Sequence, residues 1–132
     1  MYRRIVDSLI YMTISRLDLS YAVGLASQFM QLPRKPHLDA VRRIMRYARA
    51  TLDYALFYGT GTQVQVHGYT NSNWAGTASD CRSTNGYMFS FGSAAVTWSS
   101  KKQPTLALSS TEAKYRGAAF ASHEVAWLKM LL

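Results

Sequence analysis

The sequence predicts an α+β fold, with helices at the N-terminus, then strands, then one long helix covering a sheet face. Three observations predict it. Apolar residues recur every three or four positions through the first fifty residues. After Thr51 the period shortens to two, and at Ser109 a capping signature opens a second helical stretch. With 132 residues, 48% of them hydrophobic and 13% aromatic, the chain can build a core that a disordered tail lacks.

In the first helix Ile5, Leu9 and Met12 form the apolar stripe and Val6 and Ile10 widen it. Ser20 is a candidate cap for a second helix over 21–30, which must stop before Pro33. Leu32-Pro33-Arg34-Lys35-Pro36 reads as a connector, because each proline biases its predecessor away from helix. A third helix over 37–50 places Leu38, Val41, Ile44, Met45 and Ala48 on one arc, with Arg42, Arg43, Arg46 and Arg49 outside it.

Residues 54–58 are a short apolar run rich in aromatics, and Gly59-Thr60-Gly61-Thr62 is a turn. Residues 64–69 alternate like a half-buried strand. Residues 86–91 and 94–98 are two more strands, joined at Gly92-Ser93 by a tight hairpin. Ser109-Ser110-Thr111-Glu112 has the S-x-x-E spacing of a capping box, and the last helix runs from it to the C-terminus.

Fifteen Lys and Arg against seven Asp and Glu give a net charge of +8, which favours acidic partners such as nucleic acid, an anionic membrane surface or an acidic protein face. The same arithmetic leaves few carboxylates for catalysis. One cysteine excludes a disulfide framework and a multi-cysteine zinc site, and no apolar run reaches the length of a membrane span. His37, His67 and His123 lack metal-ligand spacing, and no cofactor is expected. Cys81, between Asp80 and Arg82, reads as a free surface thiol.

Three segments carry a resemblance. Gly68-Tyr69-Thr70-Asn71-Ser72-Asn73-Trp74-Ala75-Gly76 is similar to the GYTDADWAG strand of the RNase H domain in copia-type retrotransposon polyproteins. Arg82-Ser83-Thr84-Asn85-Gly86-Tyr87 and Trp98-Ser99-Ser100-Lys101-Lys102-Gln103 resemble its RSTSGY and WSSKKQ elements. Ser109-Ser110-Thr111-Glu112-Ala113-Lys114-Tyr115 resembles its SSTEAEY helix start. The N-terminal part, including Arg42-Arg43-Ile44-Met45-Arg46-Tyr47, looks like the segment joining reverse transcriptase to RNase H. The resemblance implies a helical connection over residues 1–50 and, over 54–132, a truncated RNase H-like domain with a mixed sheet under one long helix.

Enzymes of this family hold two divalent metals between carboxylates from a strand and a neighbouring helix. Carried over residue by residue, the strand aspartate falls on Asn71 and the helix glutamate on Lys114, while Asn73 replaces a further acid. Glu112 is read as the capping-box acid. The remaining acidic positions would lie beyond Leu132. The resemblance therefore implies a nuclease without its metal ligands, and a strand at 64–70 with an unpaired edge that either invites strand addition or aggregation or is protected within a marginal fold.

Two basic features stand outside that site. Arg42, Arg46 and Arg49, with Arg43 beside them, could contact phosphates, or form a solvated helix face. Lys101 and Lys102 follow Trp98 in a pattern of charge plus aromatic that suits single strands, and a buried tryptophan near a surface turn explains it equally. At the N-terminus, Tyr2-Arg3-Arg4 before the apolar residues 5–14 imitates a signal peptide with Gly24-Leu25-Ala26 as cleavage site. Asp7, Arg16 and Asp18 interrupt it and favour a cytosolic helix.

As a whole the chain also resembles oomycete secreted RxLR effectors with copia-like sequence, which implies secretion, passage into a plant cell and suppression of host defence through an unknown host partner. The sequence has no strict R-x-L-R, and its nearest match is Arg43-Ile44-Met45-Arg46. On this footing the expected function is a non-catalytic RNase H-like effector. The alternative is a retroelement remnant that binds nucleic acid in the cytoplasm or nucleus.

Overall fold

The computed structural model describes residues 1–59, 65–76 and 80–131. It divides into two units, Met1–Leu56 and Phe57–Leu132.

In the first unit α1 (Tyr2–Met12), a 3₁₀ turn (Leu17–Leu19), α2 (Ser20–Ser27) and α3 (Lys35–Ala50) enclose one core. Tyr2, Val6 and Leu9 of α1 meet Val23 and Ala26 of α2 and Val41, Ile44 and Ala48 of α3, around Leu19. The Tyr2 hydroxyl donates to the Ala26 carbonyl at 2.8 Å, and burial pushes its pKa up. Residues 1–26 thus supply six of the nine buried residues of this core. Arg16 and Asp18, which interrupt the apolar N-terminal pattern, form an ion pair at 2.7 Å. The same guanidinium reaches Thr51 Oγ1 at 2.6 Å, clasping the end of α3.

Four local expectations need correction here. Ile10 and Met45 are 43% and 46% exposed, because the neighbouring helices cover a narrower strip than the apolar arc offers. Ser20 caps nothing. The 3₁₀ turn runs straight into α2, and the Ser20 hydroxyl is buried without a hydrogen-bond partner among the described residues. The second helix ends at Ser27, short of residue 30. Lys35 and Pro36 belong to the first turn of α3, where a proline costs no hydrogen bond. That start is fixed by His37, whose Nδ1 accepts the Arg34 backbone N–H at 3.0 Å while its ring stacks on Phe29.

The second unit is a three-stranded sheet, β1 (Val66–Asn73), β2 (Thr84–Phe91) and β3 (Ala94–Lys102), followed by α4 (Ser110–Leu131). The α+β class is as expected. The pairings among the described residues are antiparallel, in the order β1-β2-β3, where the resemblance implied a mixed sheet. A two-residue link such as Gly92-Ser93 can join only antiparallel neighbours. Gly92 takes φ 61 in that link, a conformation glycine adopts freely. Residues 54–58 form no strand, and Tyr54, Phe57 and Tyr58 are exposed. The turn expected at 60–62 and Val64 lie outside the described residues. The half-buried strand expected at 64–69 is instead exposed along β1 everywhere except Ser72, as befits the edge of the sheet.

The face of α4 that meets the sheet is made of Ala113, Gly117 and Ala121, small residues at i, i+4 and i+8, all buried. A Cβ on Gly117 would overlap the Ser72 hydroxyl and lie 3.3 Å from Asn85 Oδ1, so only glycine permits this approach. Beneath it Ser72 Oγ donates to Asn85 Oδ1 at 2.8 Å. Gln103 Nε2 donates to the same oxygen at 2.6 Å and to the Ala113 carbonyl at 3.0 Å. Further along, Tyr87 packs on Phe120, and burial followed by the charge of Glu124 pushes the Tyr87 pKa up.

Candidate functional site

The helix start and the strand beside it define the site. Ser109 Oγ accepts the Glu112 N–H at 3.1 Å, and the Glu112 carboxylate accepts the Leu108 N–H at 2.7 Å and pairs with Arg116 at 2.6 Å. Those bonds, the Leu108 N–H first, hold the Glu112 carboxyl below its ordinary range. This is a capping box whose acid reaches one residue further back than the usual N-cap N–H.

Strand β1 runs past this helix start. The Gly92 N–H donates to the Gln65 carbonyl at 2.8 Å, which makes those two residues a hydrogen-bonded antiparallel pair. The β1–β2 register is unbroken. His67, Tyr69, Asn71 and Asn73 therefore turn their main-chain groups toward β2, and Val66, Gly68, Thr70 and Ser72 turn theirs outward. Among the described residues no strand lies on that outer side.

Between this edge and α4 lies an open cleft of about 540 Å³, lined by Thr70, Asn71 and Ser72 of β1 and by Thr111, Lys114, Tyr115 and Ala118 of α4. Asn71 and Lys114 thus line one cleft. Strand alternation sends Thr70 and Ser72 to the α4 side and Asn71 to the opposite face, so Asn71 meets the cleft at the strand's edge. The Thr70 hydroxyl donates to the Gly86 carbonyl and the Ser72 hydroxyl to Asn85, so both are turned inward. Among the described residues no carboxylate lines the cleft, and Lys114 has no ion-pair partner. Nor do the described residues contain a cluster of three or more His, Cys, Asp or Glu side chains arranged for a metal.

The other expected site residues lie apart from the cleft. Arg42, Arg43, Arg46 and Arg49 are all exposed on α3, and Arg42 pairs with Asp39 at 3.2 Å. Ile44, inside the Arg43-Ile44-Met45-Arg46 tetrapeptide, is buried in the helical core. Lys101 is exposed. Lys102 is bound to Asp80 at 2.8 Å, a bond that holds the Asp80 carboxyl below its ordinary range. Trp98 and Lys102 share a face of β3 four residues apart, about 13 Å along the strand, and Lys101 points to the other face. Cys81 is exposed, with φ 51. Among the described residues no helix is long and apolar enough to cross a membrane.

Sequence reasoning missed Thr111, Tyr115 and Ala118 as cleft residues. The small-residue stripe 113/117/121 was the available signal, since it fixes which side of α4 meets the sheet. The stripe bearing Thr111, Lys114 and Ala118 then falls roughly 100° around the helix.

This pairing of an edge strand and a capped helix, under GYTNSNWAG and SSTEAKY signatures, leads to a class: regions of retroelement Pol polyproteins. Comparison with known proteins is specific. The Retrovirus-related Pol polyprotein from transposon RE1 of Arabidopsis thaliana is 45% identical over 131 residues, covering 99% of this chain and 9% of the polyprotein. The corresponding polyprotein from transposon TNT 1-94 of Nicotiana tabacum is 41% identical over 132 residues, covering 99% of this chain and 10% of that one. Secreted RxLR effector protein 161 of Plasmopara viticola is 40% identical over 128 residues, covering 96% of this chain and 90% of that protein. The chain belongs to the copia-type Pol family, which includes this effector-named relative of similar length. It spans about a tenth of the length of the transposon polyproteins it matches. No family model and no solved structure matches it.

Proposed function

We propose that the chain is a non-catalytic RNase H-like member of the copia-type Pol family that binds nucleic acid through its basic surface. The observation that carries this reading is the cleft itself, where Asn71 and Lys114 meet without a carboxylate. A pair of divalent metals needs anionic oxygen ligands. An ammonium 4 Å from a doubly charged ion repels it by roughly 8 kcal/mol at an effective dielectric of 20, and a neutral amide offsets little of that. The donor set does not fit the metals.

Phosphate binding falls to α3. Arg42, Arg46 and Arg49, at i, i+4 and i+7, form a stripe about 10 Å long, with Arg43 beside it. Titrating the full chain against an RNA–DNA hybrid across a salt series tests the reading. Affinity is expected to fall with salt. R42A/R46A/R49A is expected to flatten the log–log slope by about 0.9 for every phosphate left without its arginine, with the fold unchanged. Magnesium-dependent cleavage of the hybrid by the purified chain would overturn the non-catalytic half.

A second reading is favoured by one observation, the near-full-length match to the effector-named relative. On it the chain is secreted, enters a host cell and suppresses defence through a host protein. Cleavage after Ala26 would strip most of the α1–α2–α3 core, so the full chain is the form to express in plant tissue beside a cell-death elicitor. Suppression there supports the effector reading. Its absence, together with salt-sensitive hybrid binding, supports the first.

A further inference from the structure

We propose that the cleft between β1 and α4 binds a phosphate group directly, without a divalent metal, with the Lys114 ammonium as the counter-charge. The inference deepens the reading above and rests on its claim that the cleft holds no metal pair.

Donors are gathered around this space. The main-chain N–H groups of Thr70 and Ser72 turn outward, beside their own carbonyls, from an edge with no strand beside it among the described residues. Opposite them, on one side of α4, stand the Lys114 ammonium and the Thr111 and Tyr115 hydroxyls, all three residues exposed. The one acid nearby, Glu112, does not line the cleft. Its two oxygens are taken by the Leu108 N–H and Arg116. Oriented amides, hydroxyls and an ammonium around an open space complement an oxyanion, whose acceptor oxygens take charge-assisted bonds from each. The cleft, at about 540 Å³, admits a phosphate carrying a nucleoside.

A phosphodiester within a strand and a terminal phosphate monoester offer the same oxygens, and the experiment separates them. The full chain is titrated in EDTA with inorganic phosphate, with a nucleoside monophosphate, and with a short oligonucleotide lacking terminal phosphates, while backbone amide resonances are followed. The Thr70, Ser72, Thr111 and Lys114 amides are expected to shift together and saturably. A response to the oligonucleotide assigns the site to the strand backbone; a response confined to the other two assigns it to a terminal phosphate.

K114M is expected to weaken binding about ten-fold and K114R no more than about three-fold, since Lys114 is exposed and both replacements suit a helix. Phosphate shifts unchanged in K114M would overturn the proposal. So would movement of Val66, Gly68, Thr70 and Ser72 together with protein concentration in the absence of phosphate, which marks strand pairing between two chains. Loss of all phosphate response with hybrid binding intact sinks the cleft and leaves the α3 reading standing. Shifts of the same amides on adding magnesium alone sink both.

Discussion

Replacing Gly117 by alanine reverses the usual sign of a glycine-to-alanine change in a helix. In an exposed helix interior the substitution stabilises by about 1 kcal/mol. Here the new methyl overlaps the Ser72 hydroxyl, and Ser72 is 8% exposed under α4. Forcing a methyl into a filled space costs about 1–3 kcal/mol. Displacing Ser72 also breaks its 2.8 Å bond to Asn85, worth about 1 kcal/mol net. The overlap and the broken bond outweigh the propensity gain, leaving G117A destabilised by about 2 kcal/mol.

Trp74, Trp98 and Trp127 all lie in the second unit, so tryptophan fluorescence during urea unfolding reads the unit concerned. The midpoint is expected to fall by about 1–2 M. S72A/G117A, which removes the overlapped hydroxyl, is expected to recover at least half the loss. A G117A variant about 1 kcal/mol more stable than the parent would refute the reasoning, because α4 could then not be seated on Ser72.

Acid acts through the carboxyls of Asp18, Asp80 and Glu112, each held below its ordinary value, chiefly by Arg16, by Lys102 and by the Leu108 N–H respectively. A lowered carboxyl stabilises the fold above its unfolded pKa and loses that contribution as pH falls through the folded one. Tm should therefore drop on acidification below the ordinary carboxylate range, and less so in E112Q. I44A is expected to cost about 2–4 kcal/mol in denaturant unfolding and M45A less than about 1, because Ile44 is 8% exposed and Met45 46%. Comparable losses for the two would contradict the packing of α3.

Elements marked by a local chemical signal were legible without the structure. The capping box at Ser109 located the start of α4, and Gly92-Ser93 located the hairpin, because each depends only on residues within a turn of itself. The α3 stripe likewise reads directly from its period, with Val41, Ile44 and Ala48 buried and its arginines outside. Ser20 shows the limit of such signals. A serine before an apolar run fits a cap, yet a 3₁₀ turn delivered the chain into α2 already wound. His37, unremarkable in the sequence, turned out to hold the start of α3, since its role depends on where Arg34 and Phe29 lie.

By itself the sequence determined most of the element types, the copia-type relationship, the +8 charge and the presence of an amide at Asn71 and an ammonium at Lys114. Those are properties of composition, of local period and of residue identity at fixed spacing. Only the tertiary structure decided that Asn71 and Lys114, 43 residues apart, line one cleft, and that Thr70 and Ser72, whose main-chain groups turn outward from the β1 edge, line it with them. The physical reason is that register and helix approach are set by contacts between distant segments. The β1–β2 pairing decides which main-chain groups face outward, and Gly117 over Ser72 decides how closely α4 descends beside them.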